Sequence, residues 1–74
     1  MKLPGTTGEK VIKVLKKAGF DLVGIRGSHH YLHHRKRGII VTVPVHSGKI
    51  PAPKTLQTIL SQAGITTEEF RELL

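Results

Sequence analysis

The chain contains no cysteine, which removes disulfide staples, thiolate zinc sites and thiol nucleophiles together. It also lacks a long hydrophobic run. The longest uncharged apolar stretch, from Gly38 to Val45, falls far short of the roughly 20 residues a membrane helix needs, so no membrane association is expected. The opening Met1-Lys2-Leu3-Pro4-Gly5 has none of the apolar core of a signal peptide, and the expected location is the cytoplasm. Internal repeats and low-complexity tails are absent. Length is scarce too: 74 residues make one small domain, 1–74, with no room for a second core. A chain of this size buries only ~60% of the surface its unfolded form exposes, which excludes large scaffolds such as a Rossmann fold or a β/α barrel. With 38% hydrophobic residues, the composition is that of a globular chain.

Acidic residues are few as well, five against twelve Lys and Arg, for a net charge of +7. Residues 1–54 hold eleven basic side chains and only Glu9 and Asp21 as acids, a balance of +9. Residues 55–74 set Arg71 against Glu68, Glu69 and Glu72, a balance of −2. One sign over most of a small domain points to a polyanionic partner, most often nucleic acid. A basic protein without such a partner is the plainer alternative that charge alone leaves open.

What is present sorts into five elements and a short sixth. Thr6 and Glu9 stand at capping-box spacing, and Val11, Ile12, Val14, Leu15 and Ala18 repeat at helical spacing until Gly19. Lys10, Lys13, Lys16 and Lys17 fill the other positions, a stripe that more often marks a solvated face than a binding site. Phe20 to Arg26 reads as a strand, Gly27-Ser28 as a tight turn, and His29 to His34 as a second strand. Arg35-Lys36-Arg37-Gly38 reads as a hairpin connection. Ile39 to Val43 is the strongest strand, and Pro44 limits its continuation. After a loop, Val45 to Ala52, Pro53 opens a helix whose apolar face is Leu56, Ile59, Leu60 and Ala63, ended by Gly64. Thr66 and Glu69 repeat the capping-box spacing ahead of Phe70, Leu73 and Leu74. The expected fold is therefore α+β, a two-layer sandwich with helices on one face of a three-stranded antiparallel sheet and the other face open.

Four of the five histidines crowd into six residues, His29-His30-Tyr31-Leu32-His33-His34. On a helix, residues four apart would chelate a metal. On a strand they stand roughly 13 Å apart at ~3.3 Å per residue, too far to share an ion, so no metal site is expected. Strand alternation then sorts the run. If Leu32 faces the helices, so do His30, expected as a partly buried hydrogen-bonded imidazole, and His34, expected to be solvated beside the basic turn. His29, Tyr31 and His33 face the open side. Periodicity alone fits His29 as an exposed polar residue as well as it fits a functional one.

That open face has the chemistry for RNA. Imidazole titrates near pH 6.5, so a histidine can take a proton from a ribose 2′-hydroxyl or return one to a leaving oxygen. The substrate supplies the nucleophile, so neither a metal nor any other cofactor is required. Arg26, Arg35, Lys36 and Arg37 are candidates to hold phosphates. Tyr31 offers a ring either for stacking on an unpaired base or for packing.

The run Leu22-Val23-Gly24-Ile25-Arg26-Gly27-Ser28-His29-His30, followed by Val41-Thr42-Val43-Pro44, resembles the HicA-type (YcfA-like) toxin family of mRNA interferases. The likeness runs from about Thr6 to Leu74 and includes Lys54-Thr55-Leu56, Ile59-Leu60, Ala63-Gly64 and Glu68-Glu69-Phe70. It implies an α-β-β-β-α double-stranded-RNA-binding-domain-like fold with a short extra C-terminal helix. It also implies metal-independent endoribonuclease activity on mRNA in a type II toxin–antitoxin system, with a role in stress response and neutralisation by a HicB-type antitoxin that covers the active face. The family's catalytic histidine follows Gly-Ser and maps onto His29, with Gly27 and Ser28 as support. The residues expected on the RNA are Arg26, Tyr31, His33, Arg35, Lys36 and Arg37. The acid that protonates the leaving oxygen stays open between His33, Tyr31, a lysine and water. A non-catalytic RNA-binding module of the same fold, an inactive toxin that only binds its antitoxin, and a plain interaction subunit for an acidic partner are the competing readings. Sequence does not fix the oligomeric state.

Overall fold

The structure, a computed structural model, describes residues 6–74; the N-terminal leader reading on residues 1–5 lies outside them. The elements follow in the order α1 (Gly8–Lys17), β1 (Phe20–Arg26), β2 (His29–His34), β3 (Ile39–Pro44), α2 (Pro53–Ala63) and α3 (Thr67–Leu73). The strands form one antiparallel sheet in the order β1-β2-β3. Leu32, Val41 and Val43 on one face of this sheet share a single core with Val11, Val14 and Leu15 of α1 and Leu56, Ile59, Leu60 and Ala63 of α2. The helices thus cover one face, and the two-layer α+β sandwich expected from the element order is the observed fold. No described helix is long and apolar enough to cross a membrane.

The start of α1 corrects one expectation. The capping residue is Thr7 rather than Thr6: its hydroxyl accepts from the Lys10 amide at 3.4 Å, and no Thr6–Glu9 box closes the turn. The physical reason is a close approach. Gly8 lies against the end of β3, where a methyl group would stand 3.1 Å from the Pro44 carbonyl oxygen and from a Val45 methyl. Glycine fits there without asking Pro44 or Val45 to give by a few tenths of an ångström, and Thr6 lies buried just ahead of it. At the other end of the chain the Thr66–Glu69 box forms as expected, with both reciprocal hydrogen bonds made, at 3.1 and 3.2 Å.

β1 departs from simple alternation. Its apolar residues, Phe20, Leu22, Val23 and Ile25, belong to two sets of opposite parity, which a regular strand would send to opposite faces. A bulge between Leu22 and Gly24 resolves this. Phe20 pairs with His34, Leu22 with Leu32 and Ile25 with His30, so all three stand on the helix side, and Val23 is the extra residue. Only Phe20 enters the core; Val23 and Ile25 are each 59% exposed. β3, in contrast, continues through Pro44. Val45 donates its amide to the Ser28 carbonyl at 2.7 Å, so alternation turns the nitrogen of Pro44 to the outer edge, where a missing N–H costs nothing.

Candidate functional site on the open sheet face

The site begins at the β1–β2 hairpin, Arg26-Gly27-Ser28-His29. Gly27 has φ +60°, while no residue other than glycine has positive φ among those described. Positive φ at the first central position is the pattern of a two-residue turn whose twist matches the flanking strands. Ser28 is tied down rather than loose. Its carbonyl accepts from Val45 N and from His30 Nδ1, the latter at 3.3 Å. His30 is therefore the half-buried, hydrogen-bonded imidazole that alternation called for, and it fastens β2 to the turn ahead of it.

Register assembles the open face in rows across the sheet. Arg26, His29 and Pro44 make one row, Gly24, Tyr31 and Thr42 the next, and Asp21, His33 and Ile40 the third. His29 and Pro44 form a pair that exchanges no hydrogen bonds, the kind in which side chains stand closest. His29 is exposed, with the Arg26 guanidinium stem opposite on one side and the proline ring on the other. Tyr31 is half-buried and pairs with Gly24, where even a methyl group would stand at an ordinary contact distance, 3.9 Å from its Cδ2. An exposed imidazole beside a fixed positive charge and an aromatic surface can take a proton from a sugar hydroxyl whose phosphate the arginine holds.

Arg26, His29 and Tyr31 are thus brought together. His33 shares the face but stands about 13 Å along the strand from His29, beyond reach of the same phosphate. Arg35, Lys36 and Arg37 lie in the β2–β3 turn, with Arg35 roughly 20 Å from His29. There Arg37 has a structural task that the sequence reading did not foresee. Its Nη1 donates to the Ala63 carbonyl at 3.3 Å, and the guanidinium packs against Gly64, capping the C-terminal end of α2.

Arg37→Ala is expected to lower stability by about 1–2 kcal/mol, several degrees in melting temperature, because a charge-assisted bond to a helix end is lost. An unchanged thermal melt would show the contact to be idle.

His34 needs a correction. It is half-buried rather than solvated: its ring meets Phe20 edge-on at 5.1 Å, and its Nδ1 accepts from the Arg37 amide at 3.2 Å. The hairpin turn uses this imidazole.

The loop after β3 also reaches the His29 end. Val45 packs against the core and bonds Ser28, and His46 and Lys49 follow it in a turn closed by Lys49 N donating to the His46 carbonyl at 2.8 Å. Both side chains belong to exposed residues. Sequence reading passed over them as loop, although counting back from the four-residue Arg35–Gly38 connection pairs position 46 with Gly27. Elsewhere, Lys10, Lys13 and Lys17 of α1 line a groove of about 480 Å³ with Leu73 and Leu74. Lys17 Nζ donates to the Leu73 carbonyl at 2.9 Å, so part of the lysine stripe joins α1 to α3. No group of three or more His, Asp or Glu side chains suited to a metal ion occurs among the described residues.

A family model described as the HicA toxin of bacterial toxin–antitoxin systems matches residues 8–65, from the first residue of α1 to the residue before the Thr66 cap. The resemblance read over residues 66–74 lies beyond that match. A search of curated proteins finds no match to this chain. The matched span covers all three strands, the hairpin that carries His29, and helices α1 and α2. The chain belongs to the HicA toxin family of bacterial toxin–antitoxin systems.

Proposed function

We propose that this toxin is an endoribonuclease that cuts mRNA in the cytoplasm without a metal, using His29 as general base. The observation that carries the reading is the placement of His29: an exposed imidazole on an uncovered sheet face, opposite Arg26 and one row from Tyr31. His29 removes the proton of a ribose 2′-hydroxyl, and the 2′-oxygen attacks the adjacent phosphorus as the bond to the 5′-oxygen breaks. Arg26 offsets charge on the phosphate, and Tyr31 supports an unpaired base. Gly27 and Ser28 aim the imidazole through the turn. A HicB-type antitoxin would silence the enzyme by covering this face, where Ile40, 62% exposed, offers it an apolar foothold.

The test is a single-stranded transcript incubated with the purified protein in EDTA. The expected products end in a 2′,3′-cyclic phosphate and begin with a 5′-hydroxyl. RNA that is bound but left intact would make the protein a non-catalytic binding module. Cleavage lost in EDTA and restored by zinc would overturn the metal-free mechanism.

A further inference from the structure

Transesterification at a 2′-hydroxyl needs two proton transfers, and His29 supplies one. The leaving 5′-oxygen must gain a proton, and the open face contains few groups able to give it. His33 is about 13 Å from His29 along β2, too distant to serve the same phosphate. Tyr31 is half-buried in the next row, paired with Gly24 of β1.

The β3 side of His29 offers a better group. Pro44 lies directly opposite His29, and Val45 turns inward, packed on the core and bonded to Ser28. Carried two residues past the end of β3, alternation returns His46 to the side of the sheet that bears Pro44 and His29. Extending the register two residues beyond Pro44 makes it the diagonal neighbour of His29, and residues so related lie about 7–8 Å apart. That span admits one phosphate between two imidazoles, with a hydrogen bond at each side. The Val45–Ser28 bond at 2.7 Å holds the loop of one imidazole to the turn of the other, so their spacing is set by backbone rather than by flexible side chains.

We infer that His46 is the general acid of the cleavage reaction. This rests on the proposed RNA cleavage and adds its second catalytic residue. The neutral His29 imidazole takes the 2′-hydroxyl proton, the O2′–P bond forms, the P–O5′ bond breaks, and the His46 imidazolium gives its proton to O5′. A cyclic phosphate and a 5′-hydroxyl leave, and the two histidines have exchanged protonation states, which solvent resets. No co-reactant is consumed.

A leaving group that needs no proton separates this role from any other. The probe is an RNA oligonucleotide containing one site that the wild type cuts, made with either the normal 5′-oxygen or a bridging 5′-sulfur at that site. His46→Ala is expected to cut the oxygen substrate 10²–10⁴-fold more slowly, the usual worth of a general acid, yet to cut the sulfur substrate within a few-fold of wild type. His46→Gln, which keeps a polar side chain without a transferable proton, is expected to behave the same way. His29→Ala is expected to be slow on both. Because His46 is exposed in a loop, both of its variants should melt with the wild type. Equal losses on the two substrates, or no loss on the oxygen substrate, would overturn the assignment while leaving RNA cleavage by His29 in place. A wild type that cuts no RNA, so that no cleavable site exists for the probe, would instead remove the proposed activity itself.

Discussion

His29→Ala is expected to abolish RNA cleavage and leave the fold as it is. The imidazole is exposed at the first position of β2, outside the core, and the turn ahead of it is held through Ser28, His30 and Val45 rather than through His29 itself. Truncating an exposed side chain of this kind typically changes stability by no more than about 0.5 kcal/mol. The rate consequence is far larger. Loss of a general base alone is worth about 10²–10⁴-fold, and with the substrate's hydroxyl as the only nucleophile there is no second residue to take over its activation. On induction the wild type should arrest growth and degrade transcripts, whereas His29→Ala should do neither despite equal expression. A folded variant that still cuts RNA would remove His29 from the mechanism.

Phe70→Ala is expected to carry the largest stability cost, about 3–5 kcal/mol, the range for a phenylalanine removed from a packed core. Phe70 is fully buried and is the one residue that α3 commits to the interior. Leu73 packs beside it only in part, and Lys17 adds a bond to the Leu73 carbonyl. A helix of seven residues has little stability of its own, so its order comes from that ring. In a domain of this size 1 kcal/mol moves the melting temperature by roughly 4–8 °C, so the variant should melt well over 10 °C lower, or fail to fold at 37 °C. Its melting curve decides the matter. A shift of only a few degrees would make α3 an appendage on a core that stands without it, in keeping with a family match that ends at residue 65.

Much of this molecule is legible in one dimension because the relevant physics is local. Val11, Ile12, Val14 and Leu15 declare α1 by their spacing, and β-branched residues declare β3. Thr66 and Glu69 close their box within four residues, so nothing distant can disturb the reading. The alternation of β2 correctly divided His30 from His29 and Tyr31, because Leu32 at its centre leaves no choice of face. Local spacing failed by one residue at Thr6: Thr7 caps the helix, and Gly8, its first residue, lies against the end of β3.

The candidate site shows the same division. Composition and strand alternation put His29 on an open face, and the Gly-Ser turn marked the place where it stands. The roles of Arg37 and His34 were hidden. One depends on Ala63, 26 residues away, and the other on a ring brought alongside by pairing across the sheet. A run of three basic residues looks uniform in sequence, yet Arg37 caps a helix from it, about 20 Å from the chemistry.

Local pattern is enough for the inventory: six elements, a basic surface, no thiol, and one histidine after a glycine turn on an uncovered face. Tertiary structure alone decided which groups meet. The bulge at Val23 reset the parity of β1, so that Phe20 reaches the core from the strand whose Arg26 the turn holds opposite His29, and the bond from Val45 to Ser28 secured the loop of His46 at the same end of the sheet. Both depend on strand register, which is set by pairing between residues far apart in the chain and by which side chains the core accepts, and neither is written in the spacing of neighbours.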